Sequence, residues 1–133
     1  MKKFPLIVAI MLLLTAAPRP YLSLGAGQSR DSYGAIAYSK TTGAWGTSYD
    51  SPTGRQAESF ARQQCGRRDC ELLTVIRNAC AALAESVPLR GGNRPYGWAS
   101  ADTRREAEIK ARTICYDSGG RRCQTLCWVC TSR

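Results

Sequence analysis

The stretch TGRQAESFARQQC at residues 53–65 returns as TRREAEIKARTIC at residues 103–115, and this repeat decides the fold. Seven of the 13 aligned positions are identical, and the offset between the copies is 50 throughout. Each copy opens with a threonine, Thr53 or Thr103, followed three residues later by glutamine or glutamate. This is the capping-box pattern of a helix N-terminus. The sequence therefore predicts two related helices.

Both predicted helices are amphipathic. Their apolar faces, which we expect to be buried, comprise Ala57, Phe60, Ala61, Gln64 and Cys65 in the first helix and Ala107, Ala111, Ile114 and Cys115 in the second. Their charged faces carry pairs at the spacing of one helical turn, namely Glu58 with Arg62, and Arg104, Glu108 and Arg112. Pairs of this kind are typical of a solvated face and contribute little to stability.

Strand-like segments flank each helix in the same order. They are residues 34–39, 44–49 and 71–77 in the first half, and residues 79–85, 96–101 and 123–130 in the second. The predicted fold class is α+β, with duplicated ββαβ units whose two helices pack on an antiparallel or mixed sheet, stapled by disulfides. We predict a single domain at residues 33–133, built from repeats at 33–78 and 79–131 that are related by a quasi-twofold axis.

The N-terminal segment is predicted to be a signal peptide rather than part of the fold. Two lysines follow Met1, residues 4–17 are almost wholly apolar, and small residues occur near the expected cleavage at positions 25–27. We assign residues 1–26 to the signal peptide and residues 27–32 to a short linker. The expected product is exported to the periplasm or outside the cell and has no transmembrane segment after signal removal.

The cysteines fit an exported, cross-linked domain. The chain has 133 residues, a formal charge of +9, seven cysteines and no histidine. If the repeat governs the pairing, local disulfides Cys65–Cys70 and Cys115–Cys123 tie each helix end to the next strand. Cys80 and Cys130 also lie 50 apart, which suggests that they are equivalent and form a third disulfide across the axis between the halves.

Cys127 is the cysteine left over, and we expect a free, buried thiol there. Three other interpretations remain open at this point. Cys127 joins another molecule, it forms a redox pair with Cys130 through the CxxC spacing, or it binds zinc with Cys115, Cys123 and Cys130.

No catalytic, cofactor-binding or metal-binding residue is predicted. Without histidine the chain lacks the commonest general base, and no nucleotide-binding, hydrolase or calcium-loop motif occurs. Two arginine pairs in equivalent helix-to-strand loops form a candidate basic binding surface, Arg67 with Arg68 and Arg121 with Arg122. Since they also lie where cations complement helix C-termini, capping is the alternative role.

The expected function is that of an exported, non-enzymatic binding module with a protein partner, of the immunity, inhibitor or effector-accessory type. An enzyme of unfamiliar, carboxylate-based type and an envelope protein that binds anionic polymers are the alternatives. We expect no cofactor, and no nucleic-acid partner, because no nucleic-acid-binding motif is present.

The ordered motifs of the chain resemble a known bacterial family. They are YGAIAYS at 33–39, GAWG at 43–46, AE at 57–58, QCG at 64–66, DC at 69–70, RNACAALA at 77–84, YGW at 96–98 and WVC at 128–130. Over residues 33–131 they are similar to the bacterial domain-of-unknown-function family 4189. The resemblance implies a small exported domain with paired cysteines, in a family that includes secreted effectors and toxin-neutralising proteins. It implies no catalytic residues, and Cys127 departs from its pattern.

Overall fold

The computed structural model describes residues 31–132 of the chain. The predicted signal peptide at residues 1–26 and the linker up to residue 30 lie outside the described residues. The elements, in chain order, are β1 Tyr33–Tyr38, β2 Trp45–Ser51, α1 Gly54–Cys65, β3 Glu71–Arg77, β4 Cys80–Glu85, a 3₁₀ turn Arg90–Gly92, β5 Tyr96–Ala101, α2 Arg104–Asp117 and β6 Gln124–Cys130. No helix among the described residues is long and apolar enough to cross a membrane.

The strands form two antiparallel sheets of three strands each, with the orders β2-β1-β3 and β5-β4-β6. Helix α1 packs on the outer face of the first sheet and α2 on the outer face of the second, while the inner faces pack on each other. The molecule thus has four layers. The α+β class with duplicated ββαβ units is confirmed, and the predicted sheet is divided into two antiparallel sheets, one for each unit.

The threonine caps explain where the helices begin. The hydroxyl of Thr53 accepts the backbone N–H of Gln56 at 3.2 Å, and that of Thr103 accepts the N–H of Glu106 at 3.3 Å. Each cap satisfies one of the helix N–H groups that have no partner within the helix. Helix α1 ends at Gly66, whose φ of 71° is the left-handed conformation typical of a helix C-terminus.

The central strands β1 and β4 determine the packing, because their side chains alternate between a helix and the opposite sheet. In β1, Ala35 and Ala37 contact α1, whereas Ile36 and Tyr38 face the second sheet. Strand β4 repeats the pattern, with alanines toward α2 and Leu83 toward the first sheet. Alanines on the helix-facing sides let both helices approach their sheets closely.

Two apolar residues predicted to be buried are exposed. Phe60 is 53% exposed and Ile114 is 43% exposed. The buried face of each helix is narrower than predicted. It consists of Ala57, Ala61 and Cys65 in α1 and of Ala107, Ala111 and Cys115 in α2. A helix lying flat on alanines buries a narrow stripe, so residues at its margins remain in solvent.

Candidate functional site

Four loops meet at one end of the molecule. The hydroxyl of Tyr38 donates to a carboxylate oxygen of Glu85 at 3.1 Å, which places the C-terminal ends of β1 and β4 together. The strands that follow α1 and α2 begin beside these two residues, because Glu71 pairs with Tyr38 and Gln124 pairs with Glu85. Loops 39–44, 66–70, 86–95 and 118–123 therefore lie at this end, which we call the loop end.

A buried hydrogen-bond network of Tyr38, Glu85 and Arg94 connects the two sheets at the loop end. The Glu85 carboxylate, only 11% exposed, pairs with the Arg94 guanidinium at 2.9 Å and also accepts the Tyr38 hydroxyl. Burial, and then the negative charge of Glu85, raise the pKa of Tyr38 well above its ordinary value. Tyr38 accordingly stays a neutral donor at physiological pH. Its ring also contacts that of Tyr96, with centroids 4.9 Å apart.

Three carboxylates at the loop end are engaged within the fold, whereas Asp117, at the end of α2, is exposed. The hydroxyl of Ser39 donates to Asp69 at 2.8 Å and holds the pKa of that carboxyl below its usual value. Glu71 pairs with Lys40 at 3.2 Å, and the Lys40 ammonium lies over the Tyr96 ring, 5.7 Å from its centroid. These contacts fix the β1–β2 turn against the second unit.

The predicted basic residues are exposed at the loop end, but they do not form one cluster. Arg67 and Arg68 lie on the α1 side and Arg121 and Arg122 lie on the α2 side, with both sheets between the pairs. The backbone of Arg121 is fixed because its N–H donates to the Ser86 hydroxyl at 2.8 Å and its carbonyl accepts from it at 2.9 Å.

A fifth exposed arginine at the loop end, Arg90, was missed by the sequence analysis. It lies in the 3₁₀ turn of loop 86–95. Within residues 31–132, no salt bridge involves any of the five loop-end arginines Arg67, Arg68, Arg90, Arg121 and Arg122. The only available signal was composition, since this loop contains both Arg90 and Arg94 and no carboxylate.

A groove opens beside the loop end, along the outer edge of β5. Its volume is about 610 Å³, and its lining comprises residues 93–98, Ile114 and Ser118. We call it the β5 groove. Of the described residues, one cation, Arg94, and no carboxylate line it. The sequence analysis missed it because Ile114 was predicted to be buried.

The carboxylate-based enzyme predicted as an alternative requires two facing carboxylates in a cleft. Two further cavities, of about 290 and 190 Å³, lie at β2–β6 and beside β6. Within residues 31–132, a single carboxylate, that of Glu85, lines these two cavities and the β5 groove. The described residues hold no group of three or more potential metal ligands.

Comparison with known proteins identifies the family of the chain. A family model described as "Domain of unknown function (DUF4189)" matches residues 33–130. The chain belongs to the DUF4189 family. The resemblance seen in the sequence motifs is therefore confirmed.

The curated relatives of this DUF4189 chain are mycobacterial. Protein Mb1300c of Mycobacterium bovis and protein Rv1269c of Mycobacterium tuberculosis are each 45% identical to it over 65 residues. That match covers 49% of this chain and 52% of each relative, so the chain spans about half the length of the curated relatives it matches. No solved structure matches the chain.

Three disulfides cross-link the DUF4189 chain, and they are the three expected pairs. Cys65–Cys70 and Cys115–Cys123 tie the helix ends to β3 and β6, with Cα atoms 6.3 and 6.1 Å apart. The third, Cys80–Cys130, joins neighbouring strands β4 and β6, with Cα atoms 4.0 Å apart. The zinc alternative is wrong, because three of its four thiols are in disulfides, and a Cys127–Cys130 redox pair is absent for the same reason.

The reason given for the third disulfide was also wrong. Tyr33 lies opposite Arg77 in the first sheet, and Cys80 lies opposite Cys130 at the same place in the second sheet. The counterpart of Cys80 is therefore Tyr33, and the counterpart of Cys130 is Arg77. Cys80 and Cys130 therefore both belong to the second unit and do not bridge the two halves. By the same register, the counterpart of Cys127 is Thr74.

Cys127 is a free thiol, 6% exposed, in the apolar layer between the sheets. Burial raises its pKa to about 12. We expect no alkylation by iodoacetamide in the native protein at mildly alkaline pH, because the neutral thiol is unreactive. In the unfolded chain this thiol ionises at about pH 8.5. The free energy of unfolding should therefore fall as the pH rises from there toward about 12.

Mass spectrometry after labelling, with and without denaturant, measures the reactivity of Cys127. The Cys127→Ala variant identifies the labelled site, because it should take up no label even when unfolded. Rapid labelling of the native wild type would show that the thiol is accessible and contradict the expectation.

Proposed function

We propose that this DUF4189 domain is an exported, non-catalytic module that binds an acidic surface on a partner protein, as an immunity, inhibitor or effector-accessory protein does. The observation that carries the proposal is the set of five loop-end arginines, exposed and without salt bridges among the described residues. Three neighbouring carboxylates, those of Asp69, Glu71 and Glu85, are held by groups within the fold, so they compete little with an incoming anion for the arginines. Asp117 at the end of α2 is an exposed carboxylate at this end. The positive electrostatic potential of the five arginines attracts acidic surfaces.

The β5 groove supports a protein as the partner. It places the partly exposed side chains of Trp98 and Ile114 next to Arg94. Tryptophan and arginine are the residues that contribute most to protein–protein binding, and apolar contact adds what charge alone does not supply. An anionic polymer would use the arginines but has little apolar surface to fill the groove.

Export is part of the proposal and is supported by two observations. Three disulfides in a domain of this size are typical of an oxidising compartment. The N-terminal sequence has the charge, apolar core and small-residue exit of a signal peptide. We therefore place the module in the periplasm or outside the cell.

The test is affinity capture from periplasmic and culture fractions of the producing bacterium, followed by titration of the recovered protein. Replacing Arg121 and Arg122 by glutamate should weaken binding by about tenfold or more, because the change reverses charge at the loop end. The matched control replaces Arg55 and Arg105, exposed residues on α1 and α2 near the opposite end, and should leave the affinity unchanged.

Two results would contradict the proposal. Equal losses in the two double variants would show that net charge, rather than the loop end, determines binding. Capture of an anionic polymer alone, with affinity that falls steeply with salt and no protein recovered, would favour the envelope alternative instead.

A further inference from the structure

The outer edge of β5 presents unpaired backbone groups at Tyr96 and Trp98. The N–H of Ser86 donates to the carbonyl of Pro95 at 2.9 Å, which fixes the alternation of hydrogen bonds between β4 and β5. In that alternation Glu85 faces Tyr96, and Leu83 faces Trp98, as non-hydrogen-bonded pairs. The N–H and C=O groups of Tyr96 and Trp98 consequently point away from β4, toward the free edge.

The first unit has the same edge, but a side chain covers it. The N–H of Ser39 donates to the carbonyl of Ala44 at 2.8 Å, so the N–H of Thr47 in edge strand β2 points outward. The side-chain oxygen of Gln64 accepts that N–H at 2.6 Å. Helix α1 thus satisfies the outward N–H of Thr47 with one glutamine.

The second unit lacks this cover. Ile114 occupies the position of Gln64, 50 residues later in the repeat, and an isoleucine side chain accepts no hydrogen bond. No side chain of residues 31–132 accepts the N–H of Trp98, and Ile114 lines the β5 groove instead. Trp98 is 37% exposed beside it, so the edge is open to a ligand.

We propose that the β5 edge binds an extended, acidic segment of the partner protein as an added strand, an inference that rests on the proposed function. An added strand would pair with the backbone of Tyr96 and Trp98 and would lie in a groove of about 610 Å³. Peptides bind exposed sheet edges in this way, with backbone hydrogen bonds giving affinity.

Charge identifies the occupant as acidic. Arg90 and Arg121 lie in the loops that adjoin the groove and form no salt bridge within residues 31–132. Arg94, which is paired with Glu85, lines the groove itself, and no carboxylate of the described residues does. Lys110 is one helical turn before Ile114 on α2, on the side of the helix that borders the groove. An extended segment with glutamates between apolar residues would match these cations and place its apolar side chains on Trp98 and Ile114.

The probe is a capped peptide of alternating valine and glutamate, titrated into the disulfide-bonded chain and followed by amide NMR. We expect the shifts to concentrate at residues 96–98 and the hydrogen exchange of the Trp98 amide to slow. The Ile114→Gln variant, which copies the cover of the first unit, should bind about tenfold more weakly. Its melting temperature reports folding, and Gln64→Ile is the reciprocal control, which should leave binding at β5 unchanged.

A second peptide separates strand pairing from charge attraction. N-methylation of alternate peptide amides removes edge hydrogen bonds while keeping every glutamate, and it should abolish binding. If the methylated peptide and the Ile114→Gln variant both bind normally, strand addition is wrong, although the loop-end arginines would still account for capture of an acidic protein. If the arginine variants also bind normally, the proposed function fails as well.

The remaining outcomes assign the edge to another occupant and overturn the inference. A Trp98 amide that is already protected in the free, dilute protein would show that the chain covers its own edge. Self-association that rises with concentration and is lost in Ile114→Gln would identify a second copy as the occupant. Absence of shifts at residues 96–98 at saturating peptide would show that the edge does not accept an acidic strand.

Discussion

Replacing Gly97 by alanine should strongly destabilise the protein, and the same change at Gly46 should do at least as much. A Cβ atom at Gly97 would lie 2.5 Å from the Cys115 backbone nitrogen and 2.8 Å from the Ile114 Cβ. At Gly46 it would lie 2.9 Å from the Gln64 carbonyl carbon and closer still to the Ala61 carbonyl oxygen and the Cys65 backbone nitrogen. Relief requires moving a helix off its sheet, so we expect a loss of about 3 kcal/mol or more of unfolding free energy.

Chemical denaturation measures this loss, and Gly119→Ala is the matched control. Unlike Gly97 and Gly46, Gly119 has a positive φ, 90°, and no atom of the described residues lies within 4 Å of a Cβ built there. That variant should therefore show only the conformational cost of about 1 kcal/mol. Similar stabilities for the Gly97 and Gly119 variants would show that the helices do not lie against these strands.

Removing the Cys80–Cys130 disulfide should destabilise the protein more than removing either local disulfide. It closes a loop with a sequence separation of 50, against 5 for Cys65–Cys70. In the chain-entropy treatment these closures contribute about 4 and about 2 kcal/mol respectively. The double variant Cys80→Ala/Cys130→Ala should accordingly have the lowest melting temperature among the three disulfide-free pairs.

Thermal unfolding of the three double variants tests this order, with Cys65→Ala/Cys70→Ala as the matched local control. The local disulfide should cost about half as much, because its loop is short. A reversed order would mean that the helix-end disulfides fix packing that the sheet disulfide does not. Peptide mapping of the wild type without reduction verifies the pairings themselves.

The helices and strands were predictable from local patterns, and their arrangement was not. Capping threonines and the repeated AE–AR motif indicated both helices, and strand Glu71–Arg77 was predicted with its observed bounds. The division into two sheets depends on which strand is central, and periodicity does not report that. The spacing of 50 residues wrongly suggested that Cys80 and Cys130 are equivalent. The offset between equivalent strands is not constant, because β1 and β4 are 47 residues apart and β3 and β6 are 53 apart.

The candidate site shows a similar limit. Charge and position in the loops identified Arg67, Arg68, Arg121 and Arg122, since the helix-to-strand loops were evident in the sequence. The β5 groove was missed because Gln64 and Ile114 were both assigned to buried faces. Their different roles follow from strand register: one accepts an outward N–H and the other leaves it open. No sequence pattern alone reports the direction of that N–H.

The alanine-lined contacts between helices and sheets have a consequence for how the chain matures. Alanines bury little apolar area per residue, so these layers contribute less hydrophobic stabilisation than leucine-rich ones would. The three disulfides together supply about 8 kcal/mol in the chain-entropy treatment, which is comparable to the whole stability of a typical domain. Before its thiols are oxidised the polypeptide therefore lacks most of this stabilisation, and folding and oxidation become one event.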